Sequence, residues 1–231
     1  MGEGEHPAMP RMAIGRRGAV AGIGGAAIAT AGLLPRPAWA GMPTNRRLAF
    51  NVLRNDRPIG THVLSFAPAG PRLEVTVVVD MVVKWAGIVL YRYSLRGSET
   101  WQDGVLMAAS GKTNDDGTNQ EMRATRRDGR LMVEGTHGPS YTAPAGSICA
   151  SHWNPAQLAA PMVDLQDGRL LDFQVAAKGP ATVTASGTSL QADHFALTGP
   201  ATLDLWYSQQ KVWVQLRAKT WEGSVIDYRP A

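Results

Sequence analysis

Three Asp-Gly dipeptides, Asp103-Gly104, Asp116-Gly117 and Asp128-Gly129, follow one another at intervals of 13 and 12 residues. Asp-Gly readily adopts the positive φ that a two-residue hairpin turn needs at both central positions. The intervals leave room for one strand of about ten residues between turns. Segments 105–114, 119–127 and 130–136 therefore read as successive antiparallel strands of a meander. A fourth pair, Asp167-Gly168, is a turn outside that rhythm.

The rest of the chain agrees. From residue 46 the dominant period is two: Leu48, Phe50 and Val52 alternate with polar neighbours. Asn55-Asp56-Arg57-Pro58 makes a turn, and Ile59–Phe66 returns. Leu73–Trp85 is a long β-branched run that Ile88–Trp101 answers across Ala86-Gly87. Strands this long suit a large curled sheet better than a small sandwich. Between 137 and 166 the rhythm breaks, where Pro139, Pro144, Pro155 and Pro161 exclude a central strand. Asn154-Pro155 there fits a helix N-cap and first position, so Pro155–Ala160 is expected to form one short helix. Strands resume over 170–178, 182–186, 190–197, 202–208, 212–220 and 225–228. The expectation is an all-β fold: a large curled antiparallel meander of about a dozen strands, open or partly closed like a barrel. It forms one domain over residues 41–231, in which the 137–166 loop can separate two half-sheets.

Residues 1–40 read as an export signal rather than as structure. Arg16-Arg17 precedes a Gly/Ala-diluted apolar run, Pro35-Arg36-Pro37 breaks it, and Ala38-Trp39-Ala40 offers a small-x-small cleavage site. Adjacent arginines, weak hydrophobicity and Arg36 near the cut resemble a twin-arginine signal, although Gly15 stands where Ser or Thr is usual. The run of about 16 residues is short for a membrane span of about 20, so cleavage after Ala40 is expected to leave no stable span. Met1, Met9 and Met12 all remain possible starts. These features predict a periplasmic protein that meets the twin-arginine machinery and a signal peptidase.

That segment also resolves the charge. The chain is +4 overall. Residues 1–40 hold Arg11, Arg16, Arg17 and Arg36 against Glu3 and Glu5, so half of the excess leaves with them. No basic run longer than the pairs Arg46-Arg47 and Arg126-Arg127 remains, which removes the electrostatic case for nucleic acid.

Chemistry is sparse. His62, His137, His152 and His194 show no metal-ligand spacing, so no metal and no cofactor is expected. In their strands, His62 and His194 read as hydrogen-bonded structural imidazoles. The lone Cys149 excludes an intramolecular disulfide and reads as a small buried residue rather than a thiol activated by His152. There is no Gly-x-Ser-x-Gly elbow, and no catalytic residue is assigned. The aromatics Tyr91, Tyr93, Trp101, Trp153, Trp206, Tyr207, Trp213 and Trp221 fit cross-strand packing, or alternatively a concave face that holds an apolar or planar ligand. His152-Trp153 and Ser110–Asp115 gather polar groups at loops and strand ends. The candidate binding residues are thus Tyr91, Tyr93, Glu99, Trp101, Lys112, Asn114, His152 and Trp153.

Several segments resemble a bacterial family known as a domain of unknown function, number six-one-three-four. They are Val52–Gly60, Val82-Val83-Lys84 leading to Tyr91-Arg92-Tyr93, Glu99-Thr100-Trp101 before Asp103-Gly104, Thr113-Asn114, His152-Trp153 and Leu205-Trp206-Tyr207. In order and spacing they span about residues 48–228. The resemblance implies an exported β-rich protein and supplies no activity or catalytic residues.

Three functions follow as expectations. The first is a non-enzymatic binding protein whose partner is an apolar small molecule, a lipid or another envelope component. The second is a hydrolase-like enzyme with a polar site at one sheet end, built from Glu99, Lys112, Asn114, Asp115 and His152. The third is a structural or accessory protein that adds a strand to a partner through a sheet edge.

Overall fold

Alternating residues and tight turns are realised as one antiparallel sheet of 13 strands. The computed structural model describes residues 39–231 except Ser186 and Trp221; the expected signal residues Arg16, Arg17 and Ala38 lie outside them, as does Trp221 of the candidate aromatics. The first meander runs β1 (Arg47–Arg54), β2 (Arg57–Ala69), β3 (Arg72–Trp85), β4 (Ile88–Gln102), β5 (Val105–Asp115), β6 (Thr118–Arg127), β7 (Arg130–Gly135) and β8 (Gly138–Thr142). After an irregular stretch holding β9 (Ile148–Cys149), β10 (Met162–Val163) and β11 (Leu170–Leu171), a second meander follows. It comprises β12 (Gln174–Ala185), β13 (Thr188–Thr198), β14 (Thr202–Ser208), β15 (Trp213–Lys219) and β16 (Val225–Pro230).

The two meanders become one sheet because the last strand pairs with the first, in a register from Phe50 opposite Pro230 to Arg54 opposite Ile226. The strand order is 12-13-14-15-16-1-2-3-4-5-6-7-8, so β12 and β8 are edges and the curled sheet is not closed. All three Asp-Gly hairpin turns have positive φ at both central residues, as do Asn55-Asp56 and Ala86-Gly87. Asp167-Gly168 differs: only Gly168 is left-handed, and the buried Asp167 carboxylate accepts from the Arg169 backbone and side chain instead of turning a hairpin.

Two departures from the expected strands have one cause. β8 contains Pro139 and β12 runs unbroken through Gly179-Pro180. Both are edge strands, where a missing N–H costs no ladder bond, and β12 absorbs its proline beside a register shift between Ala177 and Gly179. The expected short helix is a 3₁₀ turn over Pro155–Leu158, capped by Asn154 Oδ1, which accepts from the Ala156 N–H at 3.0 Å.

Residues 143–172 form a strap across the inner face of the sheet. Within it β9, β10 and β11 make a small three-stranded sheet. Ile148, Cys149, Trp153, Met162, Val163 and Leu165 join the main core beside Phe50, Leu64, Trp101, Leu106, Leu205, Tyr207 and Trp213. Close approach requires missing side chains beneath the strap. A Cβ on Gly111 would lie 1.8 Å from the Leu165 carbonyl oxygen, and one on Gly135 would lie 2.0 Å from that of Asp167. The inner face is therefore mostly filled by protein. A smaller second cluster, Val183, Ala192 and Val214 with Leu190 and Trp206, lies apart from this core.

Candidate functional site

At one end of the sheet the strap leaves a cavity of about 290 Å³. Strand alternation aims its walls inward: Val77, Val79 and Met81 from β3, and Tyr91, Tyr93 and Leu95 from β4. His62 on β2 and Tyr228 on β16 close one side, while Ala150–His152 and Asp164–Gln166 of the strap close the other.

The two histidines dominate its chemistry. His62 is 6% exposed, and neither ring nitrogen has a protein hydrogen-bond partner. Its ring is packed edge-on by Trp213 and Tyr228, with centroids at 5.4 and 5.7 Å. Burial, helped by the neighbouring His152, pushes its pKa down to about 3. Burial likewise lowers His152 to about 4, against a smaller opposing pull from the Gln157 side chain. His152 Nδ1 makes no well-formed hydrogen bond. Its backbone is left-handed at φ 67°, a strained state for a residue with a Cβ, and the Tyr207 hydroxyl donates to its carbonyl at 2.7 Å. Both imidazoles are thus neutral at pH 7, each offering one donor and one acceptor.

Around them the polar groups are positioned. Tyr91 donates to Asp115 Oδ1 at 2.6 Å and Tyr93 to Gln166 Oε1 at 3.0 Å. Burial raises the pKa of Tyr91 and Tyr93 and pushes Tyr228 up to about 12. It also raises that of Asp164, whose Oδ1 accepts the Gln166 N–H. The pocket therefore joins an apolar wall to a hydrogen-bonding end that is mostly uncharged at neutral pH.

Of the residues picked from sequence, Tyr91, Tyr93 and His152 meet here. Glu99, Trp101 and Trp153 form a separate buried knot: Glu99 Oε2 accepts from Trp101 Nε1 at 2.8 Å and from Trp153 Nε1 at 3.0 Å. Burial raises the Glu99 pKa, while donors from Ser151, Trp153 and Trp101 oppose the rise. Lys112 is exposed on the other face of β5, beside an outer groove that Arg96 and Arg123 also line. Asn114 bonds Asn119 and the Gly117 N–H, which makes it a turn residue. The polar set proposed for an enzyme is consequently split between core, outer face and turn. Cys149 is buried, and that burial, then Glu99 and Asp164, hold its thiol protonated.

Sequence reasoning missed His62, Asp164, Gln166 and Tyr228. His194 is the hydrogen-bonded structural imidazole expected, stacked on Trp206 and bonded to Asp204 Oδ1 at 2.7 Å. His62 is not. A signal existed: it shares the inward phase of β2 with Leu64 and Phe66, where an imidazole needs a polar neighbour. Asp164 and Gln166 lie on irregular backbone that carries no period.

A larger depression, about 840 Å³, lies around Arg217, Arg229 and Trp206. Its charges are already matched. Burial alone would raise the Asp227 pKa, but Gln215, Arg229 and Arg217 donate to it and hold it below the usual range.

Residues 50–231 match the family model described as Domain of unknown function (DUF6134). The chain belongs to this family. No curated protein matches the chain. Among solved structures it is similar to a beta-barrel-like protein of domain of unknown function DUF1849 from Brucella abortus. That likeness has a TM-score of 0.58 at 9% identity and covers 80% of this chain and 94% of that one. At that identity the likeness speaks for the fold alone. This DUF6134 chain is a β-barrel-like domain whose pocket must be read from its own residues. Among the described residues no helix is long and apolar enough to cross a membrane, and no group of three or more potential metal ligands occurs.

Proposed function

We propose that the protein is an exported, non-enzymatic binding protein for an apolar molecule that carries one hydrogen-bonding group. That group would lie between His62 and His152. One observation carries the reading: both His62 ring nitrogens are buried without a protein partner, in a pocket whose sheet side is walled by Val, Leu, Met and Tyr and whose strap side adds His152, Asp164 and Gln166. Leaving a buried donor or acceptor unmade costs about 1–3 kcal/mol, and a ligand hydroxyl, carboxyl or amide recovers it. The volume suits a single ring or short chain, or one end of a longer amphiphile, rather than an entire lipid. Imidazoles that titrate near 3 and 4 are weak bases at neutral pH, which favours reading a hydrogen bond over moving a proton. Export to the periplasm is part of the proposal and rests on Arg16-Arg17, the weakly apolar run and Ala38-Trp39-Ala40.

Protein purified from the periplasm should release a stoichiometric small molecule on solvent extraction and mass spectrometry. His62→Leu should lose it while keeping its near-UV circular dichroism. An empty wild type that takes up no fatty-acid or aromatic-acid probe would refute the reading, as would undiminished binding by His62→Leu. For export, Arg16→Lys with Arg17→Lys should leave precursor in the cytoplasm; unchanged periplasmic yield would refute the twin-arginine route.

A further inference from the structure

The β3–β4 hairpin outruns both its neighbours. Pairing of β2 with β3 stops at Gly60 opposite Met81, and pairing of β4 with β5 stops at Tyr93 opposite Asp115. Residues 82–92 therefore pair only with each other, apart from Arg92 at the base, whose carbonyl accepts the Asp116 N–H, and the ribbon projects about 13 Å at the usual rise per strand residue. A two-stranded ribbon is marginal in water without support, yet this one ends in the largest apolar exposures among the described residues: Trp85 68%, Ile88 62% and Leu90 57%. Trp85 and Ile88 face each other across the Ala86-Gly87 turn.

We propose that this tip is a membrane-surface anchor, which inserts Trp85 and Ile88 into the interface of a bilayer containing anionic phospholipid. Charge complementarity selects the partner. Lys84 and Arg92 are the only charged residues between 82 and 92, both are cationic, and among the described residues neither forms a salt bridge. The nearest acidic pair, Asp115 and Asp116, stays at the hairpin base, bonded to the Tyr91 hydroxyl and the Arg92 N–H. Interfacial elements sink roughly 5–10 Å, which immerses the tip and leaves those carboxylates in water. Tryptophan suits that boundary, with an apolar body and a polar N–H. Three exposed side chains cannot supply the roughly 800 Å² that each side of a specific protein interface buries. Met81 and Tyr91, at the base of the hairpin, also line the pocket, so docking brings the pocket close to the lipid surface.

The test is co-sedimentation of the protein, residues 41–231, with vesicles of phosphatidylethanolamine and phosphatidylglycerol, against vesicles of phosphatidylcholine alone. Binding is expected to the anionic vesicles and to weaken with salt. Lys84→Glu should weaken it by about tenfold or more. Trp85→Ser with Ile88→Ser should abolish it while thermal unfolding stays unchanged, because the tip lies outside the core. His62→Leu should bind vesicles normally, so the anchor stands or falls separately from the ligand reading. No binding to anionic vesicles, or equal binding by the double variant, overturns the proposal. So does self-association that the double variant loses without vesicle binding, which would assign the tip to a second copy.

Discussion

Glu99 and His62 show how burial of a single group sets opposite pH dependences. His62 has a folded pKa near 3, below its ordinary 6.5, so the unfolded chain binds more protons between those values. Stability therefore climbs with pH through that window and is complete above it. His152, near 4, acts in the same direction. Glu99 is raised above its ordinary 4.5, so the folded chain binds more protons there. Its contribution is present below 4.5 and lost as pH rises through the folded value. Chemical denaturation across pH should show His62→Leu flattening the acid-side rise and Glu99→Gln removing the loss on the alkaline side. Glu99→Gln keeps an acceptor for the two indoles and should be at least as stable as wild type at pH 8. Glu99→Leu strands both N–H groups and should cost about 1–3 kcal/mol. A wild-type profile that is flat from pH 3 to 7 would contradict the histidine assignment.

At the scale of elements, strap and sheet are fitted by absent side chains as much as by present ones. Gly111→Ala places a methyl group against the Leu165 carbonyl, and neither β5 nor the strap backbone can step aside cheaply. The expected loss is about 1–3 kcal/mol. Ser110→Ala, on the exposed face of the same strand, should stay within about 0.5 kcal/mol. Because Leu165 also walls the pocket, Gly111→Ala should weaken ligand capture beyond its effect on stability. Equal melting temperatures for the two variants would show that the strap is not seated as described. The Asp-Gly hairpins were legible in the sequence, since turn chemistry and period-two alternation are local, whereas the β7–β8 hairpin lay in the stretch read as irregular. The seat of the strap was not. Nothing near Gly111 announces that a carbonyl 54 positions later will lie against it.

In the whole molecule, the β1–β16 pairing joins two meanders whose ends would otherwise be open. It brings Ala231 N–H onto the Ala49 carbonyl, so the chain's end lies beside its first strand. A circular permutant of residues 41–231, joined there by a short flexible linker and reopened between Asp128 and Gly129, keeps every strand pair. It should retain a cooperative melt and wild-type near-UV circular dichroism, whereas deletion of residues 225–231 should remove cooperativity. A permutant that fails to fold while the deletion folds would show that the join is incidental.

The sequence by itself determined the strand class, the hairpin positions, the irregular middle and the family, because alternation, Asp-Gly turns and proline placement act over a few residues. It also brought Tyr91, Tyr93 and His152 forward as candidates. Only the tertiary structure decided that Glu99, Trp101 and Trp153 close a core, that Lys112 and Asn114 face away, and that His62 stands unpartnered near His152. Those outcomes depend on which face each strand presents and on pairings up to 180 residues apart. The entropy of closing such loops is offset by burial summed over the whole sheet, not by any segment that can be read alone.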